Sequence, residues 1–382
     1  MSIAQPRSPL YRQILATSAA LSGAYTELES TARSILSTPE IFKVRRIVLC
    51  GSGDSFFAAR AAEWAMARLT EIEVLSLPAL EASRYRSSLG RDADLRTTLV
   101  IAISNSGEAA RTIEAAQRFG RRGALVLALT AATASRLANT APRVFKLPVP
   151  ELPSGPGYGP YLFSMVALQL LAFRLAEVRG VMTMDEAQGW RRELLSRLEE
   201  LPRVHAAVDP VCAQLAARYR DLPVFEFLGS GPCAAVAQYG MAKLLEAVGT
   251  AALAQDLEEW VHLHFFSKAP RDTATVVLCP LGSAAESRVK EVLTYLERLE
   301  RPTIVVADED VAELAVQAGF DAVPVSTRIG EMLCPVHFSA PLALLASHLA
   351  DLGGADYGRG CRGPWENAAG GGAVRNSAIL GD

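Results

Sequence analysis

The hydrophobic and polar positions of the chain alternate between short apolar runs and longer amphipathic stretches. The apolar runs are "VRRIVLCGSG", "IEVLSL", "TTLVIAIS", "GALVLALT" and "RVFKLPV". Each run is too short for a core helix and predicts a buried strand. After the first run, Phe57, Ala61, Trp64, Ala65 and Leu69 recur at helical spacing and predict one buried helix face. This alternation of strands and helices predicts an α/β fold with a parallel sheet covered on both faces.

The same rhythm then occurs a second time. "FEFLGSGPCAAVAQYGMAKLLEAV" repeats "IVLCGSGDSFFAARAAEWAMARL", and "TVVLCPLGSAAESRVKEVLTYL" repeats "LVIAISNSGEAARTIEAAQRF". An internal duplication of this length predicts two similar domains. We place a helical lead-in at residues 1–37, the two domains at 38–185 and 215–355, a charged helical linker at 186–214 and a glycine-rich tail at 356–382.

Composition narrows the class of protein. The 382 residues carry a net charge of −3 without long runs of one sign, which argues against a nucleic-acid partner and gives no reason to invoke a membrane. The most apolar helical run, residues 162–176, is short and contains Arg174, so it predicts a buried helix. The N-terminus lacks the pattern of a signal peptide, and the six cysteines lack C-x-x-C spacing. These features predict a cytoplasmic, disulfide-free protein in which cysteines act as small hydrophobic residues.

Two loops after predicted strands are rich in small hydrogen-bond donors. They read Gly51-Ser52-Gly53-Asp54-Ser55 and Ser104-Asn105-Ser106-Gly107. In an open parallel sheet, ligands bind where strands end and helices begin, and a helix N-terminus attracts anions. Because glycine lets a ligand approach the backbone and hydroxyl groups donate without bulk, the loops predict a sugar-phosphate site.

The same loops have other interpretations. A serine before a helix is commonly an N-cap, and for one loop alone that interpretation is favoured; two such loops in one domain favour phosphate binding. A dinucleotide site fits poorly because "GSGDSF" lacks the third glycine and no acidic residue clearly ends the next strand. A P-loop is excluded because no Gly-Lys-Ser/Thr follows.

These motifs resemble those of the sugar isomerase (SIS) domain. "CGSGDS" resembles the family's Cys-Gly-Thr-Ser loop, "ISNSGEAART" resembles Ile-Ser-Gln-Ser-Gly-Glu-Thr, and "PVHFSAPLALLASHLADLGGAD" resembles the family's last helix. Over residues 40–357 the chain resembles the isomerase half of glutamine:fructose-6-phosphate amidotransferase. The resemblance implies two tandem SIS domains, each a parallel sheet flanked by helices on both faces. It also implies that a sugar phosphate is bound by Ser52, Gly53, Ser104, Asn105 and Ser106, with Ala109 in place of a phosphate-binding threonine.

The resemblance assigns the chemistry to the second domain. "KLLEAV" resembles Lys-Leu-Lys-Glu-Ile, which implies that Glu246 moves a proton between C1 and C2 of the sugar, with Lys243 on the same helix face. "EEWVH" resembles Glu-Leu-Lys-His, which implies that His262 assists opening of the sugar ring. In relatives this histidine reaches the site from a neighbouring subunit, so the resemblance also implies a homodimer.

The residue types suit this chemistry. One carboxylate within reach of both carbons can move the proton through an enediol or enolamine, and a histidine exchanges protons near neutral pH. No cofactor is expected. A metal site at His262 and His264 is not expected either, because the two histidines lack a clear third ligand. Without the resemblance, an ordinary surface pair of Lys243 and Glu246 and interface packing of the histidines would be the favoured interpretations.

Two features depart from the family. The sequence shows no counterpart of the glutaminase half, so release of ammonia from glutamine is not expected. "RNSAI" places Ile379 where the family has an imine-forming lysine, after an insertion at residues 361–374. Tandem SIS proteins without a glutaminase half include amino-sugar phosphate deaminases and deglycases. The leading hypothesis is therefore an isomerase or deaminase for an amino-sugar phosphate; the alternatives are a non-catalytic sugar-phosphate sensor and a SIS enzyme reassigned to an unusual substrate in specialised metabolism.

Overall fold

Two compact units make up the protein. The computed structural model describes residues 7–87, 95–325, 330–365 and 372–380. The first unit contains residues 20–150, residues 159–196 and the tail from residue 363 onwards. The second unit contains residues up to 19, residues 151–158 and residues 197–362. The second unit therefore includes two short segments, residues up to 19 and residues 151–158, that lie in the chain before its main part at residues 197–362.

A five-stranded parallel sheet forms the centre of the first unit, with the strand order β2-β1-β3-β4-β5. The register places Cys50 of β1 between Leu77 of β2 and Ala102 of β3. Since the three central strands are buried almost throughout, their sequences are continuously apolar rather than alternating. The strands are β1 (Arg46–Gly51), β2 (Glu73–Pro78), β3 (Thr98–Ile103), β4 (Leu125–Thr130) and β5 (Arg143–Lys146).

The second unit repeats this sheet, with the equivalent order β7-β6-β8-β9-β10 and all strands parallel. The predicted duplication and the predicted α/β class are thus confirmed. The edge strands β7 and β10 are short and partly exposed, and the sequence analysis had not identified them. The strands are β6 (Val224–Leu228), β7 (Ala251–Gln255), β8 (Thr273–Cys279), β9 (Thr303–Asp308) and β10 (Asp321–Val325).

Helices cover the sheets and connect the units. The described part of the predicted lead-in, residues 1–37, contains two helices, and a third helix begins directly after it at Thr38. The linker region lies within one long helix that contains Pro202 and Pro210. A π-helical turn, Glu81–Arg86, follows β2. The α-helices are α1 (Pro9–Gly23), α2 (Tyr25–Ser34), α3 (Thr38–Lys43), α4 (Asp54–Thr70), α5 (Ala110–Arg121), α6 (Arg136–Thr140), α7 (Gly159–Arg179), α8 (Met184–Tyr219), α9 (Pro232–Ala247), α10 (Leu257–His262), α11 (Glu286–Arg298), α12 (Glu309–Gln317), α13 (Pro335–Gly353) and α14 (Gly372–Asn376).

The predicted buried face of α4 is only partly right. Ala61, Ala65 and Leu69 are buried, but the Trp64 side chain is 40% exposed. The buried stripe consists mainly of alanines, which let the helix backbone approach its neighbours closely, and the larger indole lies at the flank of that stripe. Trp64 is therefore not a core residue.

Helix α7 is long and apolar enough to cross a membrane by length and composition. However, 83% of its most apolar window is buried inside the protein, which is the pattern of a core helix, as the sequence predicted. The five cysteines whose side chains the structure describes are free and buried, in agreement with their predicted role as small hydrophobic residues.

Each sheet packs its apolar side chains against the flanking helices. In the first unit, Val100 and Val126 of the sheet pack with Ile113 and Phe119 of α5. In the second unit, Val277 and Val305 pack with Val289 and other residues of α11 and α12. Burial of each such side chain stabilises the fold by about 1.5–3 kcal/mol, and this core holds the loops at the strand ends in fixed positions.

Candidate active site

The first serine loop connects β1 to α4. Gly53 is the N-cap of α4, with φ 54° and ψ −130°, a conformation that favours glycine. A Cβ atom added to Gly53 would meet nothing within 4 Å, so the space beside this residue is open. Ser52 is exposed, and no side chain caps α4. The positive end of this 17-residue helix therefore faces an accessible loop.

The second serine loop connects β3 to α5 and is tightly held. The Gly107 amide donates to the Ser104 carbonyl at 3.0 Å, and the Asn105 carbonyl accepts from the Ala131 amide at 3.1 Å. Gly107 has φ 65°, and a Cβ atom there would lie 1.9 Å from Ser135 Oγ. Only glycine fits this turn, so the loop has a rigid shape.

The serines do not act as helix N-caps. The N-cap of α5 is Ala109, which contributes no side-chain hydrogen bond, and the N-cap of α4 is Gly53. Ser106 Oγ accepts a local bond from the Glu108 amide at 3.3 Å. Asn105 Oδ1 is buried without a hydrogen-bond partner among the residues described. These polar groups are thus not used to stabilise the helix ends.

The two serine loops are neighbours because β1 and β3 are adjacent strands whose connections leave in opposite directions. Such a switch point is where open α/β sheets bind ligands.

The structure also places Ser55 at this switch point, a residue that the sequence analysis did not select as a binding residue. Ser55 lies in the first turn of α4, and a Cβ atom on Gly51 would approach its Cβ to 2.8 Å. The spacing Gly51-x-Gly53-x-Ser55 was the available signal.

The C-terminal tail lies against the first unit beside these loops. Ile379 packs on the core of the unit, and the Leu380 amide donates to the buried Glu114 at 3.2 Å. Arg136 donates to the Arg375 carbonyl at 2.8 Å and to Glu108, close to the second serine loop, at 2.6 Å. The residue at the family's lysine position is therefore an apolar anchor.

Glu246 and Lys243 lie together on α9 of the second unit. Lys243 Nζ donates to Glu246 Oε2 at 2.6 Å and to the Gly157 carbonyl at 3.4 Å. The Lys243 side chain is fully buried, with its ammonium 5.1 Å from the centre of the Tyr239 ring, whereas the Glu246 side chain is 37% exposed. The structure thus brings the two predicted residues together, and a buried lysine is not part of an ordinary surface pair.

His262 ends α10 and projects outward. Its side chain is 66% exposed, and Nε2 lies 3.4 Å from Oε1 of Glu258 on the same helix. His264 instead bonds to the buried Glu226, which also accepts from Trp260 Nε1 at 2.8 Å and from Arg301 at 2.7 Å. His264 is therefore a structural anchor, while His262 is accessible to another molecule.

Metal ligation is not supported by the arrangement of side chains. Among the described residues, no group of three or more His, Cys, Asp and Glu side chains has an arrangement that could hold a metal ion.

The equivalent switch point of the second unit, between β6 and β8, is occupied by carboxylates. Ser283 Oγ donates to Glu331 at 2.8 Å and the Ala284 amide to the same carboxylate at 3.4 Å. A Cβ atom on Gly231, the N-cap of α9, would lie 3.6 Å from Glu331 Oε1. Glu331 therefore spans the two loops of its own unit.

Two further carboxylates bind the donors of these loops. Asp308 accepts from the Leu281 amide at 2.6 Å, and Asp256 accepts from Ser230 Oγ at 2.5 Å. Three of the protein's own carboxylates therefore accept hydrogen bonds from the loops at the switch point of the second unit.

Comparison with known proteins gives a family match within the first part of the chain. Residues 40–177 match the model of the SIS domain. The chain is 27% identical over 329 residues to glutamine–fructose-6-phosphate aminotransferase (isomerizing) from Mycolicibacterium paratuberculosis, a match that covers 84% of this chain and 50% of the relative. The chain thus spans about half the length of the curated relatives that it matches.

Solved structures extend the likeness over both units. The C-terminal domain of glucosamine-fructose-6-phosphate aminotransferase from Francisella tularensis superposes with a TM-score of 0.83 at 21% identity, covering 94% of this chain and 99% of that chain. Glucosamine-6-phosphate deaminase from Thermotoga maritima gives a TM-score of 0.68 at 18% identity, with 90% and 95% covered. These likenesses show that the two units have the fold of tandem SIS domains.

Proposed function

We propose, on the premise that residues 40–177 match the SIS domain model, that the protein is an enzyme that deaminates or deglycates an amino-sugar phosphate. The serine loops of the first unit bind the phosphate, and Glu246 of the second unit carries the proton. The names of the relatives, an aminotransferase and a deaminase of hexosamine phosphates, support this substrate class.

The observation that carries the proposal is the position of Glu331. In the second unit, a carboxylate from the chain bridges the loops at the switch point. In the first unit, the described contacts of Ser52, Ser104 and Ser106 include no carboxylate, while the loops occupy the same place in the same topology. A fold that holds an internal anion at one switch point offers an anion site at the other.

The proposed reaction needs no cofactor. In an open-chain 2-amino aldose, Glu246 removes the proton from C2 and returns it to C1, which leaves an imine at C2 that water hydrolyses to a ketone and ammonia. In a 1-amino ketose such as fructosamine 6-phosphate, Glu246 removes the proton from C1 and returns it to C2, which leaves an imine at C1 that water hydrolyses to an aldehyde and the free amine. Because the substrate's own nitrogen forms the imine, the lysine that Ile379 replaces is not required. His262, exposed in this chain, would assist ring opening in the site of a second subunit, so we expect a cytoplasmic homodimer.

Amine release tests the proposal. The purified protein is incubated with glucosamine 6-phosphate or fructosamine 6-phosphate, and ammonia or amine is measured. We expect turnover in the wild type, a loss of at least about 100-fold in Glu246→Gln, and unchanged turnover in Glu313→Gln, which alters an exposed carboxylate on α12. Equal turnover in the two variants would remove Glu246 from the mechanism.

A sensor is the second candidate because two family positions have lost their polar groups. Ala109 offers no hydroxyl at the start of α5, and Ile379 packs against the core of the first unit. A sensor would be stabilised against heat by phosphosugars without converting any of them. An enzyme reassigned to a substrate with a different charge would respond to neither hexosamine phosphate but would still depend on Glu246.

A further inference from the structure

A short segment before the tail has a costly backbone conformation. Gly358, Arg359 and Gly360 have φ values of 57°, 58° and 63°, so three successive residues are left-handed. Glycine adopts this conformation freely, but arginine does so at a cost because its Cβ crowds the following carbonyl. A non-glycine residue persists there only when other contacts compensate. The contacts of the Arg359 side chain identify the compensation.

The Arg359 guanidinium lies at the C-terminal end of α9. Its Nη1 donates to the Val248 carbonyl, and its Nη2 donates to the Glu246 carbonyl at 3.4 Å. The last carbonyls of a helix have no partner within the helix, and a cation at that end also complements the helix dipole. Arg359 therefore caps the turn of α9 that carries Glu246.

Gly249 provides the space for this contact. It has φ 81°, and a Cβ atom there would lie 2.5 Å from Arg359 Nη1 and 2.6 Å from Arg359 Cζ. Any side chain at position 249 would displace the guanidinium. The contact therefore depends on two separate parts of the sequence. These are Gly249, which follows α9, and Gly358-Arg359-Gly360, which follows α13.

We infer that Arg359 is a positioning residue for Glu246. The carboxylate is one residue from the end of α9, and its 2.6 Å contact with the buried Lys243 requires that the last helical turn stays formed. Among the described residues, the Arg359 side chain donates to the backbone carbonyls of Val248 and Glu246, so it acts on the turn through its backbone. The inference rests on the proposed function in assigning proton transfer to Glu246.

Hydrogen exchange and kinetics together test this inference. The variants are Arg359→Ala, Arg359→Lys and Gly249→Ala, with Arg220→Ala as the matched control because that exposed arginine of the same unit pairs with Asp221. We expect amide exchange over residues 244–250 to rise about 10-fold in Arg359→Ala and Gly249→Ala. We expect kcat to fall about 10-fold with KM changed less than 3-fold, while Arg359→Lys recovers part of both losses and Arg220→Ala changes neither.

The outcomes separate the two claims. Unchanged exchange in Arg359→Ala, or faster exchange with unchanged kcat, would overturn the positioning role. A wild-type protein that releases no amine from any hexosamine phosphate would refute the proposed function. In that case the exchange measurement alone decides whether Arg359 holds the end of α9.

Discussion

The two units use one topology in opposite ways at their switch points. In the second unit, Glu331, Asp308 and Asp256 accept the hydrogen bonds of the loops after β6 and β8. In the first unit, β4 ends in the neutral Thr130 where β9 ends in Asp308, and the described contacts of Ser52, Ser104 and Ser106 include no carboxylate. In the second unit, three carboxylates of the chain therefore accept the hydrogen bonds that we propose a bound anion accepts in the first, without any change in the order of the strands.

The other side chains to which we assign a role in the proposed reaction follow the same division. The second unit contains the buried Lys243 with its partner Glu246, whereas the first unit contains accessible hydroxyls at a helix N-terminus. We expect the first unit to determine which anion is bound and the second to supply the proton chemistry.

The largest difference in stability between the units should appear on acidification, because all five histidines belong to the second unit. Burial lowers the pKa of His205 to about 3 and that of His337 to about 4. Their pKa in the unfolded chain is about 6.5. The unfolded state thus binds more protons below pH 6.5, and stability falls with falling pH by about 1.4 kcal/mol per pH unit for each histidine.

The first unit should not respond in this window. Burial raises the pKa of Glu177, but its bonds with Arg191 outweigh this effect, and the net pKa is below 4.5. Its contribution to stability is lost only below that value. Between pH 6.5 and 5 we expect the second unit to lose up to about 4 kcal/mol, measured by hydrogen exchange resolved for each unit. In the double variant His205→Asn/His337→Asn, the stability of the second unit should depend less on pH. Equal losses of stability in the two units of the wild-type protein would contradict this prediction.

A second comparison uses the left-handed glycines of the loops after β3 and β8. In Gly107→Ala the new Cβ would collide with Ser135, whereas in Gly282→Ala it would meet nothing within 4 Å. Both variants have backbone strain, since φ is 65° and 70°. We expect Gly107→Ala to lose about 3 kcal/mol and Gly282→Ala about 1 kcal/mol of unfolding free energy in urea. Similar losses would mean that the first loop is not held more tightly than the second.

The internal anion can be tested by replacing it. Glu331→Gln leaves the Ser283 hydroxyl and the Ala284 amide without their carboxylate, which should cost about 2 kcal/mol. The test uses a Ser52→Ala/Ser106→Ala background, which removes two hydroxyl donors from the loops of the first unit. In this background, added phosphate should restore part of the Tm that Glu331→Gln loses. The same background with Glu331 intact is the control. If phosphate gives no recovery, the second switch point does not accept a free anion.

The smallest expected effect concerns the serines alone. Ser104→Ala or Ser106→Ala should weaken sugar-phosphate binding about 10-fold, which corresponds to one hydrogen bond to a charged group. Ser283→Ala, in the second unit, should leave the affinity unchanged because its hydroxyl is bound to Glu331. Calorimetric titration of the three variants with the sugar phosphate measures these affinities. A weaker affinity in Ser283→Ala would place the ligand in the second unit and contradict the prediction.

Local patterns were sufficient to predict most of the fold. The central strands are continuous apolar runs followed by glycine or serine, and their burial on both faces explains why the pattern was clear. The edge strands β7 and β10 gave a weak signal since they are short and partly exposed. Trp64 was misassigned because helical spacing identifies a face only to within one residue at its edge.

The amino-acid sequence by itself determined the duplication, the two serine loops and the pairing of Lys243 with Glu246, because each depends on neighbouring residues or on repetition. Only the tertiary structure decided that Glu331 fills the second switch point, that Ile379 anchors the tail and that Arg359 reaches the end of α9. Those contacts join residues about 50 to 270 positions apart, and no local periodicity encodes which distant side chain reaches a given loop. The physical reason is that the two kinds of feature depend on different parts of the chain. Strand and helix patterns arise from the burial of residues close together in the sequence, whereas the partner of a buried donor depends on how the whole chain packs.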